Sequence, residues 1–330
     1  MTKLILLMAL ISPTACAQQN AAGEAAIKTV LESKDDDARW QAIRKIGEIK
    51  YKPAIPLLLK SLSDPHHYVR ANAARALSDM NVHEAQQPLV DLLSHETDGG
   101  VIQQATLGIR KFKAREALPA LRKLANHEDP QTCIWVLQTI AQLGSKDDVS
   151  CMASYLDSPQ MGTQSSAAEF LGDMASQDFG VVKQGLSGLQ HIGRARDWWT
   201  LHKQDYPACT WGLSNEQHAL GAFLKDAKNA DKTSSPDRVK KLLELVDHKD
   251  KGIRLSAIDA LRKIQSPESI PTLVRLMDDP DPFIQYLGMM TLCEMNSPGG
   301  RGCPSTILFR RTPEKYKAQW KDWWAKRQAK

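Results

Sequence analysis

The chain has 330 residues, 42% of them hydrophobic and 25% charged, an ordinary globular composition on a length that allows two or three domains. Its formal charge of +5 comes from Lys and Arg scattered among acidic residues, with a modest cluster in Lys315 to Lys330, a weak signal that argues against a dedicated nucleic-acid binder. Aromatic residues make up only 6%, while Ala and Leu recur at short intervals, so helices are favoured over sheets.

Lys3, the apolar run Leu4 to Ile11, Ser12-Pro13 and then Ala15-Cys16-Ala17 read as a secretory signal peptide over residues 1–17. The run is too short to span a bilayer, and no other segment approaches the roughly twenty apolar residues a span needs. An exported protein, periplasmic or secreted and without a transmembrane segment, is therefore expected. Small residues at 15 and 17 suit cleavage after Ala17. The string also partly resembles a bacterial lipoprotein signal, which implies a lipid anchor at Cys16, although Pro13 stands where such signals usually carry Leu. Simple cleavage is the preferred reading.

Without the signal, Cys133, Cys151, Cys209, Cys293 and Cys303 remain, an odd number that leaves at least one thiol unpaired in an oxidising compartment. Cys293 and Cys303 flank the turn-rich Asn296-Ser297-Pro298-Gly299-Gly300 and are the first choice of disulfide, with two free buried thiols as the alternative.

From residue 38 onward one pattern repeats. Ala42, Ile46 and Ile49 correspond to Ala73, Leu77 and Met80, then to Ala105, Ile109 and Phe112, Val136, Ile140 and Leu143, and Ala167, Leu171 and Met174, at intervals of 31 or 32 residues. The register resumes with Ala257, Leu261 and Ile264, and with Gly288, Leu292 and Met295. Apolar positions at i, i+4 and i+7 lie on one stripe of a helix and cannot line one face of a strand. Each copy continues into a second helix, and four of these carry a proline near the start, at Pro56, Pro88, Pro119 and Pro271, where a missing amide costs little. Asp-rich loops such as Ser63-Asp64-Pro65 and Asp278-Asp279-Pro280 then stop one helix and can cap the next. One helix pair cannot bury its stripe alone, so the expected fold is all-α, a solenoid of stacked pairs. The Val-Arg-x-x-Ala-x-x-Ala-Leu core at Val69 to Leu77 resembles the HEAT family, in the short bacterial form related to the repeats of phycobilin lyases. The resemblance implies a fold and leaves the task open.

The register is lost between about 190 and 235, where Arg196-Asp197-Trp198-Trp199 and Tyr206 to Trp211 mark a junction. Asp-Trp-Trp returns at Asp322-Trp323-Trp324, so two modules are expected, 18–205 and 206–330, each ending in a Trp-rich helix. Those tryptophans are read first as caps over an open core, and otherwise as partner-binding anchors. The polar stretch Asp226 to Asp237 is read as a mobile loop.

Signs of chemistry are sparse. His83-Glu84, His95-Glu96 and His127-Glu128 resemble the iron-binding pairs of deoxyhypusine hydroxylase, a HEAT-repeat enzyme. The positions that family uses, at the starts of first helices, here hold Val69-Arg70, Val101-Ile102 and Thr132-Cys133. No zinc spacing, nucleophile elbow or phosphate loop occurs, and Ser165 and Ser166 have no evident base beside them. Neither a metal nor a cofactor is expected. Phycobilin attachment is set aside because those lyases act inside the cell.

The leading functional expectation is an exported, non-catalytic scaffold that binds a protein or peptide along its second helices, where Lys60, Asp91, Lys123 and Arg275 lie off the core stripe, with Trp198, Trp199, Trp323 and Trp324 as further contacts. The alternatives are an enzyme or enzyme accessory with a site in residues 190–235, where His191, His202, Asp205 and Cys209 would line a pocket, and a binder of nucleic acid or another anionic polymer.

Overall fold

The computed structural model describes residues 13–179, 188–227, 231, 234–296 and 303–328, which contain helices and no strand. The apolar run of the signal reading, the loop 297–300 and parts of the stretch 226–237 lie outside the described residues.

Contacts divide the chain into two units, Met1–Leu156 with Gly162–Leu213, and Asp157–Met161 with Ser214–Lys330. In the first, α1 (Pro13–Glu32) passes through Cys16 and Ala17 and packs on α2 (Asp36–Glu48). The repeats follow as α2 with α3 (Ile55–Ser61), α4 (His67–Asp79) with α5 (Gln86–Leu93), and α6 (Gly99–Phe112) with α7 (Leu118–Leu124). They continue as α8 (Pro130–Leu143) with α9 (Val149–Ser154), and then α10 (Met161–Ala175) and α11 (Gly188–His202). The second unit holds α12 (Asn215–Ala227), α13 (Pro236–Leu245), α14 (Lys251–Ile264) with α15 (Ile270–Arg275), α16 (Pro282–Asn296), α17 (Thr306–Arg311) and α18 (Pro313–Gln328). Each unit is a solenoid stack of helix pairs.

The stripe inferred from the period is the core. Ala73, Ala105, Val136 and Ala167 have no exposed surface, nor do Ile46, Leu77, Ile109, Ile140 and Leu171. Consecutive first helices touch, α2 on α4, α4 on α6 and α6 on α8, so these residues form one continuous apolar row. Burying each large aliphatic side chain contributes about 1.5–3 kcal/mol. A separate core in the second unit gathers Ala257, Leu261, Met289 and Leu292.

Local chemistry sets the helix ends. Asp35, Asp98, Asp129 and Asp250 accept backbone amides at the starts of α2, α6, α8 and α14, caps that contribute about 1 kcal/mol each. Residues of positive φ follow α2, α4, α6, α10 and α14, at Lys50, Asn81, Lys113, Ser176 and Gln265, and release the chain into the next turn, whereas α8 ends on Gly144 in extended backbone. A 3-10 turn then precedes each second helix, at Lys52–Ala54, His83–Ala85, Arg115–Ala117, Lys146–Asp148 and Pro267–Ser269.

The Arg of the repeat core ties the preceding loop. Arg70 Nη1 donates to the carbonyls of Asp64 and Pro65, both at 3.0 Å, and Arg254 Nη1 to those of His248 and Lys249 at 2.9 and 3.1 Å. This residue ties the carbonyls of the preceding loop to the start of the first helix.

Candidate functional site

The residues read as partner contacts fall in different settings. Lys60, Asp91 and Lys123 are exposed on α3, α5 and α7, and Asp91 accepts from Gln87 Nε2 at 2.8 Å. Arg275 on α15 forms two 2.8 Å bonds to Asp247 and so presents a neutralised charge. Trp198 and Trp199 are half-buried against the core, with Trp198 stacked on His202 and Trp199 beside Tyr206. Trp323 and Trp324 are likewise half-buried in the second unit, where Trp320 is the buried member of the group. Cys293 and Cys303 are joined as a disulfide.

The irregular region does not gather its titratable residues into one pocket. His191 is buried, Asp205 is exposed, and Cys209 is bonded to Cys151. Residues 206–213 lie instead along α9. Ser150 Oγ donates to the Pro207 carbonyl at 2.5 Å, Trp211 Nε1 to Asp148 Oδ1 at 2.9 Å, Leu213 N to Ser154 Oγ at 2.9 Å, and Asn126 Nδ2 to the Gly212 carbonyl at 2.9 Å. The Cys151–Cys209 pair was not legible because its members are 58 positions apart and meet only through this fold-back.

Ser165 does have a base beside it, which corrects the sequence reading. His191 Nε2 lies 3.1 Å from Ser165 Oγ and 3.2 Å from the Ser165 carbonyl. A proton on Nε2 serves that carbonyl, and Nδ1 is buried without a partner to orient the ring, so a nucleophile, base and orienting group are not assembled.

The His-Glu dipeptides are structural. Glu96, 6% exposed, takes two bonds from Arg70 at 2.7 and 3.0 Å and accepts the amides of Thr97 and Asp98. Burial pushes its carboxyl up, but Arg70 and those two amides outweigh it and hold Glu96 below the usual range. His127 Nδ1 accepts from Asp129 N at 3.0 Å, leaving its other nitrogen to donate to the Thr97 carbonyl at 3.1 Å. Among the described residues, no three His, Cys, Asp or Glu side chains group as metal ligands.

A concavity lies between α2 and α4, a groove of about 550 Å³ lined by Arg44, Gly47, Glu48, Asn72, Arg75 and Asp79, with Lys50 and Ala76. Such a volume suits a small organic molecule. Gly47 allows the two helices to approach, since a Cβ there would stand 2.8 Å from Ala76 Cβ. Its rim carries exposed ion pairs, Arg44 with Glu48 at 3.4 Å and Arg75 with Asp79 at 3.5 Å. Pairs this exposed are held by at most about 1 kcal/mol, so the guanidinium groups can turn to an incoming carboxylate at little cost. One turn back along the same helices stand Trp40 and Tyr68, their rings 6.2 Å apart, with Tyr68 55% exposed and His67 against it at 4.2 Å. Arg44 lies over the Trp40 ring at 5.4 Å. Sequence reasoning passed over these residues because each alone reads as part of a solvated helix face. The available signal was a Trp and a Tyr at outward positions of adjacent repeats.

Comparison with known proteins places the chain in a wider setting. The model described as HEAT repeats matches residues 24–110, 101–172 and 219–293. Over 110 residues the chain is 34% identical to the phycocyanobilin lyase subunit alpha of Synechococcus elongatus, an alignment that covers 31% of this chain and 40% of that protein. The chain thus spans well under half of the curated relative it matches. Among solved structures, the complex of CpcE and CpcF of phycocyanin lyase from Nostoc sp. PCC7120 is similar at a TM-score of 0.40 and 18% identity, covering 82% of this chain and 87% of that one. An engineered protein is similar at a TM-score of 0.36 and 21% identity, covering 83% and 78%. The sequence relative overturns the expectation of a scaffold outside enzymology, because the protein it matches is a lyase subunit. The setting aside of phycobilin attachment falls with it. Among the described residues no helix is long and apolar enough to cross a membrane.

Proposed function

This chain belongs to the HEAT-repeat family, and from that premise we propose that it is a lyase-type enzyme or enzyme accessory that holds a conjugated, carboxylate-bearing prosthetic group while a partner protein receives it. The observation that carries the reading is the α2–α4 groove, lined by Arg44, Lys50 and Arg75, with the Trp40 and Tyr68 rings one turn back along the same helices and Arg44 lying over Trp40. A bilin has the matching chemistry, flat conjugated rings for Trp40 and Tyr68 and acidic side arms for the guanidinium groups. The 34% identity with a phycocyanobilin lyase subunit supports the same class of ligand.

The reading includes export. Its support is the signal-like pattern of residues 1–17 together with the disulfides Cys151–Cys209 and Cys293–Cys303, which persist in oxidising compartments. Cleavage after Ala17 remains preferred to a lipid anchor at Cys16.

Titration of the protein with biliverdin, followed by visible absorbance, tests the ligand. A saturable change at one equivalent is expected, with affinity reduced about tenfold or more in the variant Arg44→Ala/Arg75→Ala. Absence of saturation, or equal binding by the variant, overturns the assignment.

A further inference from the structure

Among the cations scattered along this chain, the last helices hold a cluster with few acidic residues between. Residues 306–328 contain seven Lys and Arg against two Asp and Glu, an excess of five that equals the formal charge of the whole chain. The rest of the chain sums to no net charge, so α17 and α18 carry the net positive excess.

The short helix α17 adds exposed aliphatic surface to that charge. Phe309 is 1% exposed and anchors the helix between Tyr286 and Tyr316, and the Cys293–Cys303 bond ties the strand of chain leading into it to α16. With Phe309 turned inward, Ile307 is left 67% exposed and Leu308 50% exposed. Residues three and four apart share a helix face, so Arg310 and Arg311 flank Ile307, and Arg311 flanks Leu308. Arg310, Arg311 and Lys315 are exposed and form no ion pair among the described residues.

Neither half of this surface is explained by the fold. Water-facing aliphatic side chains carry a cost that packing would have removed, and unpaired cations beside them exclude an apolar partner. An anionic bilayer satisfies both at once, since headgroups take the cations while the aliphatic tips enter the interface. We infer that α17 and the start of α18 form a docking surface for membranes rich in anionic phospholipid. This inference is independent of the ligand held between α2 and α4.

Sedimentation of the full chain with vesicles tests it. Binding is expected to vesicles of phosphatidylcholine with about one quarter phosphatidylglycerol, with release by about 0.5 M sodium chloride as screening shortens the range of the attraction. The variants Arg310→Glu/Arg311→Glu and Ile307→Ser/Leu308→Ser should each lower the partition coefficient about tenfold or more, with an unchanged melting curve because all four side chains face water. The same charge reversal elsewhere, Lys146→Glu/Lys240→Glu, should leave binding within about threefold of the original. The inference is overturned by equal binding to pure phosphatidylcholine, by unaltered binding of the α17 variants, by an equal loss in the Lys146/Lys240 variant, or by retention on heparin without vesicle binding.

Discussion

Trp211 Nε1 donates to Asp148 Oδ1 at 2.9 Å, and this bond joins the irregular segment 206–213 to the α8–α9 repeat of the first unit. Asp148 is 1% exposed and also receives Arg122 through two bonds at 2.9 and 3.1 Å and the Ser145 amide at 3.0 Å. Removing a buried carboxylate with this many donors leaves a guanidinium, an indole and an amide short of partners. Asp148→Ala should destabilise the first unit by about 3 kcal/mol in urea unfolding. Trp211→Phe, which removes one donor and replaces the indole by a smaller phenyl ring, should cost about 1–2 kcal/mol. Equal stability of Asp148→Ala and the parent would refute a structural role for this hub.

The cysteines make a second prediction. Cys151–Cys209 closes a loop of sequence separation 58 and fastens the fold-back to α9. A cross-link of that span contributes about 4 kcal/mol by restricting the unfolded chain. Cys209→Ser should lower stability by that order, and the same loss should follow reduction. Cys133, by contrast, is a free buried thiol, pushed up to about 12 chiefly by burial, with the nearby Asp129 carboxylate adding to the effect. Its sulfur donates to the Ala125 carbonyl at 3.0 Å. At neutral pH almost none of it is thiolate, so a disulfide-exchange reagent should find no reactive Cys133 in the native protein and react with it on unfolding.

Acid sensitivity follows from carboxylates that the fold holds charged. Glu96 sits below its ordinary range for the reasons given above, and Asp129 does so as well, because bonds from the Thr132 hydroxyl and amide, the Gln131 amide and the field of His127 outweigh the burial that pushes it up. A carboxyl whose folded value is depressed lends stability that is complete above its unfolded value, about 4.3 for Glu and about 3.9 for Asp, and is lost as pH falls through the folded value. The denaturation midpoint should therefore be steady from neutrality to about pH 5 and fall below about pH 4. Glu96→Gln should be less stable at neutral pH and show a shallower acid decline. An identical decline in that variant would remove Glu96 from the account.

The repeat was legible because its information is local and periodic. Ala73, Leu77, Ala105 and Ile109 announce a buried stripe whatever surrounds them. The meaning of Arg70 was not legible in the same way, since its partners are loop carbonyls and a Glu 26 residues onward. His-Glu spacing drew attention to metal chemistry, whereas Glu96 serves Arg70 and His127 serves a loop. The groove was hidden for another reason. Arg44, Glu48, Arg75 and Asp79 have the look of ordinary i,i+4 surface pairs, and only the close approach of α2 to α4 at Gly47 and Ala76 sets them around a common space. That approach is itself open to test, because Gly47→Val must push the helices apart or strain their packing, at about 1–3 kcal/mol, and should abolish saturable biliverdin binding.

Helix ends provide a stabilising change that needs no new contact. Lys113 closes α6 at φ 56° and ψ 38°, while its side chain is exposed on the surface. A side chain in this left-handed region crowds the backbone, and glycine does not. Lys113→Gly should therefore raise stability by about 0.5–1 kcal/mol, the relief of strain exceeding the entropy glycine adds to the unfolded chain. The same residue placed within α6, as in Gln104→Gly, should lower stability by about 1 kcal/mol. Opposite signs from one substitution at positions nine residues apart on a single helix would distinguish backbone geometry from any effect of side-chain loss, and equal signs would refute the left-handed cap.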